Sequence, residues 1–471
     1  MTKYFSFTTI AFASALAGCS FTPLYERPTA PIPAAYGYVS APADQIAMGW
    51  RDYFNDSALQ ELITLALANN RDLRVTVLNV EQARAQLQIQ QSALLPSIGG
   101  VASANRGVSQ VTGDLGNTFT VGVAVSAWEL DFFGRIRSLK EAALAQYLAS
   151  DEGRQAAELS LISSVVQAWL ALRADEELLD ISRRTVQTRE DSMRLAKLRF
   201  DAGFSSELDY RQAESLTEGA RATLAQQMRQ RSLNENALAL LIGQSVPGNL
   251  LASLQGSRLA AATALADIPA GLPSDLLQRR PDIRAAEQQL IAANAQIGAA
   301  RAAFFPSIAL TAQYGSVSSE LSQLFSSGTW GFNFGPSIQI PLFTGGRLTA
   351  NLQATEAARD VAVAQYEKAI QVSFKEVSDA LASRTTLAEQ ARAQTAQAAA
   401  ERKRFQLADL RYQSGVASYL DLLDAQRALF ALEQADVQVR LAQQLNQVNL
   451  YKALGGGWPP NAASKPAVAN P

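Results

Sequence analysis

Few side chains in this 471-residue sequence are equipped for chemistry, and the most suggestive of them lie in one run, Gly415-Val416-Ala417-Ser418-Tyr419-Leu420-Asp421-Leu422-Leu423-Asp424-Ala425-Gln426-Arg427. On a helix Leu420, Asp424 and Arg427 fall at i, i+4 and i+7, so they share one face, with Asp421 beside them. The chemistry open to such a face is electrostatic. Repeated around a symmetry axis, each aspartate becomes a ring of carboxylates, and Asp421 and Asp424 stack two rings about one helical turn apart. Like charges at that range repel one another and attract cations, and Arg427 offsets part of the repulsion. By pattern alone a solvated helix face is the default reading of the same residues. Other chemistry lacks its parts. The chain has no histidine and its one cysteine is Cys19, which excludes Cys/His catalysis, disulfides and His- or Cys-based metal sites from the mature chain. No cofactor, metal or enzymatic activity is therefore expected, and a net charge of -2 argues against a nucleic-acid partner.

The N-terminus reads as an export signal: Lys3, an apolar stretch from Tyr4 to Ala15 diluted by Ser and Thr, then small residues. It is too short to remain as a membrane span. Its end, Leu16-Ala17-Gly18-Cys19, resembles the bacterial lipobox, which predicts that residues 1–18 are removed and that Cys19 carries acyl chains sufficient for stable anchoring. Ser20 after the cysteine favours the outer membrane.

Aligning the chain with itself reveals a duplication. At an offset of 210, Arg71-Asp72-Leu73-Arg74 meets Pro281-Asp282-Ile283-Arg284, and Pro96-Ser97-Ile98 meets Pro306-Ser307-Ile308. After a two-residue shift Gly134-Arg135 meets Gly346-Arg347, Gly203 meets Gly415, Asp209 meets Asp421 and Gly243 meets Gly455. Helix breakers then delimit the helices. Residues 347–414 and 416–454 contain neither Gly nor Pro, and their counterparts 135–202 and 204–242 contain only Gly153 and Gly219. At 1.5 Å per residue these helices reach about 100 Å and about 60 Å. A third helix is predicted over 71–95 and its copy 281–305. Placed end to end, the shorter helices of each half match the long one in length, which suggests that they pack along it.

Between the helices lie two strand pairs, 97–105 with 118–128 and 307–314 with 331–341, each strand about nine to eleven residues and suited to a tilted membrane strand. Four strands cannot close a barrel in lipid, where an open edge leaves backbone groups unsatisfied, so the chain must oligomerise. Both hairpins begin and end on helices, which puts every helix on one side of the membrane and the Gly203 and Gly415 turns at the far tip.

The residues at this point resemble the outer-membrane efflux factors of the TolC type, in the OprM-like lipoprotein branch. The resemblance covers the mature chain and is carried by Trp128-Glu129-Leu130-Asp131-Phe132-Phe133-Gly134-Arg135, Gly271-Leu272-Pro273-Ser274-Asp275-Leu276-Leu277, Arg280-Pro281-Asp282, Ala302-Ala303-Phe304-Phe305-Pro306, Leu422-Leu423-Asp424-Ala425-Gln426-Arg427 and Ala453-Leu454-Gly455-Gly456-Gly457-Trp458. It implies a mainly α-helical homotrimer with a twelve-stranded outer-membrane β-barrel, a periplasmic α-helical barrel and a mixed α/β equatorial belt. It implies a passive exit duct for drugs and other small toxic molecules, working with a periplasmic membrane-fusion adaptor and an inner-membrane transporter, usually proton-driven. By the same resemblance Leu420, Asp421, Asp424 and Arg427 line the periplasmic gate, a Tyr412 to Asp209 hydrogen bond helps hold it shut, and the tip turns Gly203-Phe204-Ser205 and Gly415-Val416-Ala417 dock the adaptor. Ala417 departs from relatives that place a basic residue there.

The organisation expected is a signal peptide (1–18), a lipidated segment and belt (19–60), a first repeat (61–243), an equatorial linker (244–274), a second repeat (275–455) and a tail (456–471). Two other readings share parts of this pattern. An outer-membrane channel for protein secretion or metal-ion export keeps the duct and changes the cargo. A coiled-coil lipoprotein held only by its acyl chains explains the helices and leaves the hairpins unexplained.

Overall fold

The computed structural model describes residues 20–33, 35–37, 49–108, 113–259 and 276–456. The signal peptide, Cys19, residues 260–274 of the expected linker and the tail beyond Gly456 lie outside them. In chain order the elements are α1 (Trp50–Tyr53), α2 (Ser57–Asn69), α3 (Arg71–Ser92), β1 (Ile98–Val108), β2 (Leu115–Leu130), α4 (Arg135–Asp201), α5 (Glu207–Ile242), α6 (Gly248–Leu254), α7 (Leu276–Arg279), α8 (Pro281–Ala302), β3 (Ser307–Ser318), β4 (Trp330–Gln339), α9 (Arg347–Gln413) and α10 (Tyr419–Ala453). The fold class is the one expected: mostly helical, duplicated, with four strands per chain.

The chain divides into two compact units. The first comprises the segment up to Ala30, Val77–Glu152 and Arg284–Ala369; the second comprises Pro31–Thr76, Gly153–Ile283 and the chain from Ile370 onward. The first unit holds one antiparallel sheet in the order β1-β2-β3-β4. Registered pairs place Val123 opposite Tyr314 and Tyr314 opposite Phe332, then Val125 opposite Ala312 and Ala312 opposite Phe334. Residues paired in this way share a sheet face, so that face is apolar, and Val123, Tyr314, Phe332, Phe334 and Ile338 are all exposed on it. The alternate face carries Thr120, Gln313, Asn333 and Ser337. Gly122 and Gly315 oppose each other so closely that a Cβ on Gly122 would lie 2.4 Å from the Tyr314 carbonyl oxygen. A bulge between Val125 and Trp128 shifts the register, with Ala127 at φ 45°, and strengthens the local twist.

Three of the strands run longer than the spacing predicts, while β4 ends two residues early, at Gln339. β1 and β2 continue pairing to Val108 and Leu115, and β3 continues through Ser318 into the Ser/Gly-rich stretch, because backbone pairing does not stop where alternation weakens. The helices run slightly shorter. α3 and α8 end at Ser92 and Ala302 rather than at the residue before each proline, since the residue before a proline is pushed out of the helical region.

The core of the second unit is built around Trp169, Tyr53, Phe54, Leu62 and Leu238, all essentially inaccessible. Tyr53 stacks on Tyr451 at 4.5 Å, and Asp56 caps α2 while receiving Arg173 at 2.9 Å. The end-to-end abutment of short helices occurs in both halves. Gly243, at φ 72°, approaches so near the Asn69 carbonyl that a Cβ would sit at 2.4 Å, and Asn70 donates to the Leu241 carbonyl at 2.9 Å. In the second half Gly455, at φ 91°, lies against Arg279, and Arg280 donates to the Ala453 carbonyl at 3.1 Å. The same junction is closed by an amide in one repeat and a guanidinium in the other.

Candidate functional site

Two helix-to-helix turns in the second unit hold the residues singled out at the tip. Each is built in the same way. At the end of α4 the Gly203 N–H donates to the Phe200 carbonyl and the Phe204 N–H to Arg199; at the end of α9 Gly415 donates to Tyr412 and Val416 to Arg411. This double closure requires a left-handed residue, and both glycines have φ 76°. Three residues later Ser206 and Ser418 begin α5 and α10 with reciprocal capping boxes, in which each serine hydroxyl accepts from the N–H of Asp209 or Asp421 and each aspartate accepts from the serine backbone. The predicted starts at 204 and 416 thus move to Glu207 and Tyr419, because the αL glycine and the cap consume three residues.

These caps assign the two aspartates a local task. The Asp209 carboxylate accepts from the Ser206 N–H at 3.2 Å and hydroxyl at 2.8 Å, and Asp421 repeats both contacts with Ser418. In the single chain the contacts of the Asp209 carboxylate are those of its own cap, and Tyr412 is engaged elsewhere. Tyr412 is buried beneath the Arg199 guanidinium, 4.6 Å from the ring centre, and packs against Tyr419 at 5.4 Å. Burial raises the Tyr412 hydroxyl pKa, opposed by Arg199 and reinforced by the Asp209 charge. Tyr419 is pushed up to about 12 by burial, with Tyr412 and Asp209 adding to it, and its hydroxyl has no hydrogen-bond partner within the described residues.

The expected face of α10 is present. Leu420, Asp421, Asp424 and Arg427 are exposed while Leu422, Leu423, Ala425 and Gln426 are buried. Asp424 is held by Arg404 of α9, which also reaches Glu401. Arg427 does not take that role and instead adds its positive charge to the surroundings of Arg189. At the turns Phe204 is 84% and Val416 69% exposed, so each presents an unpartnered apolar side chain, while Ser205 and Ala417 are half-buried.

Residues not anticipated from the sequence are Ser206, Ser418, Arg199, Arg404 and Tyr419. The caps had a readable signal in Ser206-Glu207-Leu208-Asp209 and Ser418-Tyr419-Leu420-Asp421. Arg404 had none, being twenty positions from Asp424 and on another helix. A further charged cluster lies elsewhere in the second unit: Asp175 accepts from Asn234 at 2.6 Å, Glu176 binds Arg231, and Glu177 accepts from Arg440 at 2.9 Å and from the Leu259 N–H.

Comparison with known proteins gives a consistent result. The family described as outer membrane efflux protein matches residues 62–244 and 272–456, one segment in each repeat. The toluene efflux pump outer membrane protein TtgC of Pseudomonas putida is 45% identical over 457 residues, covering 94% of this chain and 93% of the relative. Outer membrane protein OprJ of Pseudomonas aeruginosa is 42% identical, covering 96% of each. Among solved structures, the open state of the Neisseria gonorrhoeae MtrE outer membrane channel superimposes with a TM-score of 0.85 at 41% identity, over 93% of this chain and 98% of that one.

Proposed function

The chain belongs to the outer membrane efflux protein family, and from that membership we infer that this outer-membrane efflux component is the passive exit duct of a tripartite pump. The observation that carries the reading is the four-stranded sheet, apolar on one face, with β1 and β4 as its two edges. A lipid-facing sheet with free edges has to close on copies of itself. Three copies make a twelve-stranded barrel, with the Val123, Tyr314 and Phe332 face toward lipid and the Gln313 and Asn333 face toward the lumen. A periplasmic adaptor docks at the Gly203–Ser205 and Gly415–Ala417 turns, and an inner-membrane transporter, proton-driven, supplies the energy. Cys19 carries the lipid anchor. The cargo is the small toxic molecules for which relatives are named, toluene among them.

The gate lies at the start of α10. Threefold symmetry turns Asp424 into a ring of carboxylates, with Leu420 as an apolar constriction beside it and Arg404 compensating each charge from α9. Asp421 sets the helix start that aims this face. Arg404 and Asp424 are both solvent-exposed, so water screens the pair and it contributes little to stability. That weakness suits a contact that must break on opening. The test is conductance of the purified protein in planar bilayers. Asp421→Ala with Asp424→Ala should raise single-channel conductance several-fold and weaken block by divalent cations; wild-type values for both would remove the gate from these residues.

A further inference from the structure

The strongest unexplained feature lies in the first unit, where the chain immediately after Cys19 is built into the structure as a strap along α8. Phe21 stacks on Phe305 at 4.5 Å, and Phe133 stacks on the same ring at 5.1 Å. Thr22 and Ser138 share a hydrogen bond between their hydroxyls at 2.9 Å, and Asn294 donates to the Pro23 carbonyl at 2.7 Å. The Tyr25 hydroxyl donates to Glu287 at 3.0 Å, and Arg27 grips the same carboxylate through two bonds of 2.7 and 2.9 Å. Glu287 is only 7% exposed, and the combined burial and hydrogen bond hold the Tyr25 hydroxyl pKa well above its ordinary value. At Gly298 the strap passes so close that a Cβ would meet Thr22 Oγ1 at 2.3 Å and Thr22 Cα at 2.8 Å. The receptor positions 287, 294, 298 and 305 recur at intervals of seven, four and seven, which is one helix face continued into the turn beyond it.

The duplication supplies an independent control. The first-repeat counterparts of Glu287, Asn294, Gly298 and Phe305 are Val77, Arg84, Gln88 and Leu95, and the counterpart of Ser138 is Ala350. Each substitution removes what the strap uses: the carboxylate, the amide donor, the open space, the aromatic platform and the hydroxyl. Val77 and Leu95 are 40% and 71% exposed, so among the described residues no comparable segment covers that face. Two helices of common descent thus differ at the positions that decide whether an extended segment can lie on them.

We propose that residues Phe21–Arg27 are a register-setting latch, and that the α8 face Glu287–Asn294–Gly298–Phe305 is its dedicated receptor, discriminating the second repeat from the first. The occupant is this chain's own post-signal segment, read through an aromatic ring, a close small-residue crossing and a bidentate arginine. The latch ties the segment behind the lipidation site to the foot of β3 and not of β1. Two extended hairpins of similar pattern are otherwise interchangeable partners for the anchored end of the chain, so the latch gives the first unit a single way to assemble.

The test uses the full-length lipoprotein with the cysteine pair Thr22→Cys and Ser138→Cys as a reporter, since these side chains already touch. In the otherwise native chain the pair should oxidise nearly completely. Importing the first-repeat residues, Glu287→Val with Gly298→Gln, should lower the cross-link yield at least five-fold and lower membrane-inserted, SDS-resistant assembly in parallel. Arg27→Ala changes only a half-exposed strap side chain, leaves the helices intact, and should lower both readouts by a smaller factor. Reducing agent present from synthesis onward should leave the native strap docked but deepen the assembly defect of Arg27→Ala, because the covalent lock substitutes for the lost grip. Unchanged cross-linking in the Val/Gln variant overturns the receptor, and released straps with native assembly overturn the latch role. An absence of SDS-resistant oligomer in the native protein would count against the trimer reading and leave the cross-link comparison to decide the latch.

Discussion

At the scale of single residues, the acids of this chain divide by what surrounds them. Asp209 and Asp421 cap helix starts, Asp424 is paired in water, and Asp175 is 5% exposed and accepts a hydrogen bond from the neutral Asn234 amide. Burial pushes Asp175 up to about 6; the Asn234 hydrogen bond opposes this, Glu176 adds to it and Arg231 opposes it. The sign of the consequence follows from linkage. A carboxyl whose pKa is higher folded than unfolded binds more protons in the native state, so its contribution falls as pH rises from about 4 through about 6. Asp175→Asn keeps an acceptor for Asn234 and removes the charge. It should stabilise the solubilised protein by about 1 to 3 kcal/mol at pH 7 and leave it little changed at pH 4. Denaturant titration at the two pH values checks this, and equal midpoints for mutant and wild type at pH 7 would show that the buried charge is compensated.

At the scale of elements, helix breakers carried most of the information. The Pro-free stretches, interrupted only by Gly153 and Gly219, mark α4, α5, α9 and α10 to within three residues, since strong helix formers otherwise fill them. What could not be read was lateral: which residue of α9 faces Asp424, or that Arg199 covers Tyr412, depends on the rotation of one helix about another, and sequence spacing within a helix is silent on that. Strand length was blurred for a related reason, because pairing of Gly107 with Gly116 and Val108 with Leu115 is decided by the partner backbone. The exposed face of α10 was legible and the arginine that pairs with Asp424 was not. The turn glycines give a sharp prediction. A non-glycine residue in the left-handed region costs about 1–2 kcal/mol, small against the packing of a helix pair, and no atom crowds Gly203 or Gly415. Gly203→Val with Gly415→Val should therefore preserve oligomerisation while changing the path of Phe204 and Val416. Drug accumulation in cells should rise to the level of a strain lacking the channel. Loss of the oligomer instead would mean that the glycines serve assembly alone.

At the scale of the whole molecule, the open sheet is the strongest constraint on how copies combine. β1 and β4 each pair on one side only, and the apolar ladder through Val123, Tyr314 and Phe332 continues to the β4 edge. A sheet buried in lipid satisfies those edge groups only by pairing β4 of one copy with β1 of the next. The pairing is head-to-tail, and such a contact closes into a ring only if the rotation per copy divides a full turn. With four strands per copy, closure after three gives twelve strands, and failure to close gives an open ladder. A cysteine fixed at Asn333 on β4 and scanned through Ser103, Ala104 and Asn105 on β1 distinguishes these outcomes. One β1 position should cross-link efficiently in outer membranes, and the covalent products on a non-reducing gel should end at three copies. A ladder extending past three would break the ring, and monomers at every position would mean that the edges are satisfied by something other than a second copy of this chain.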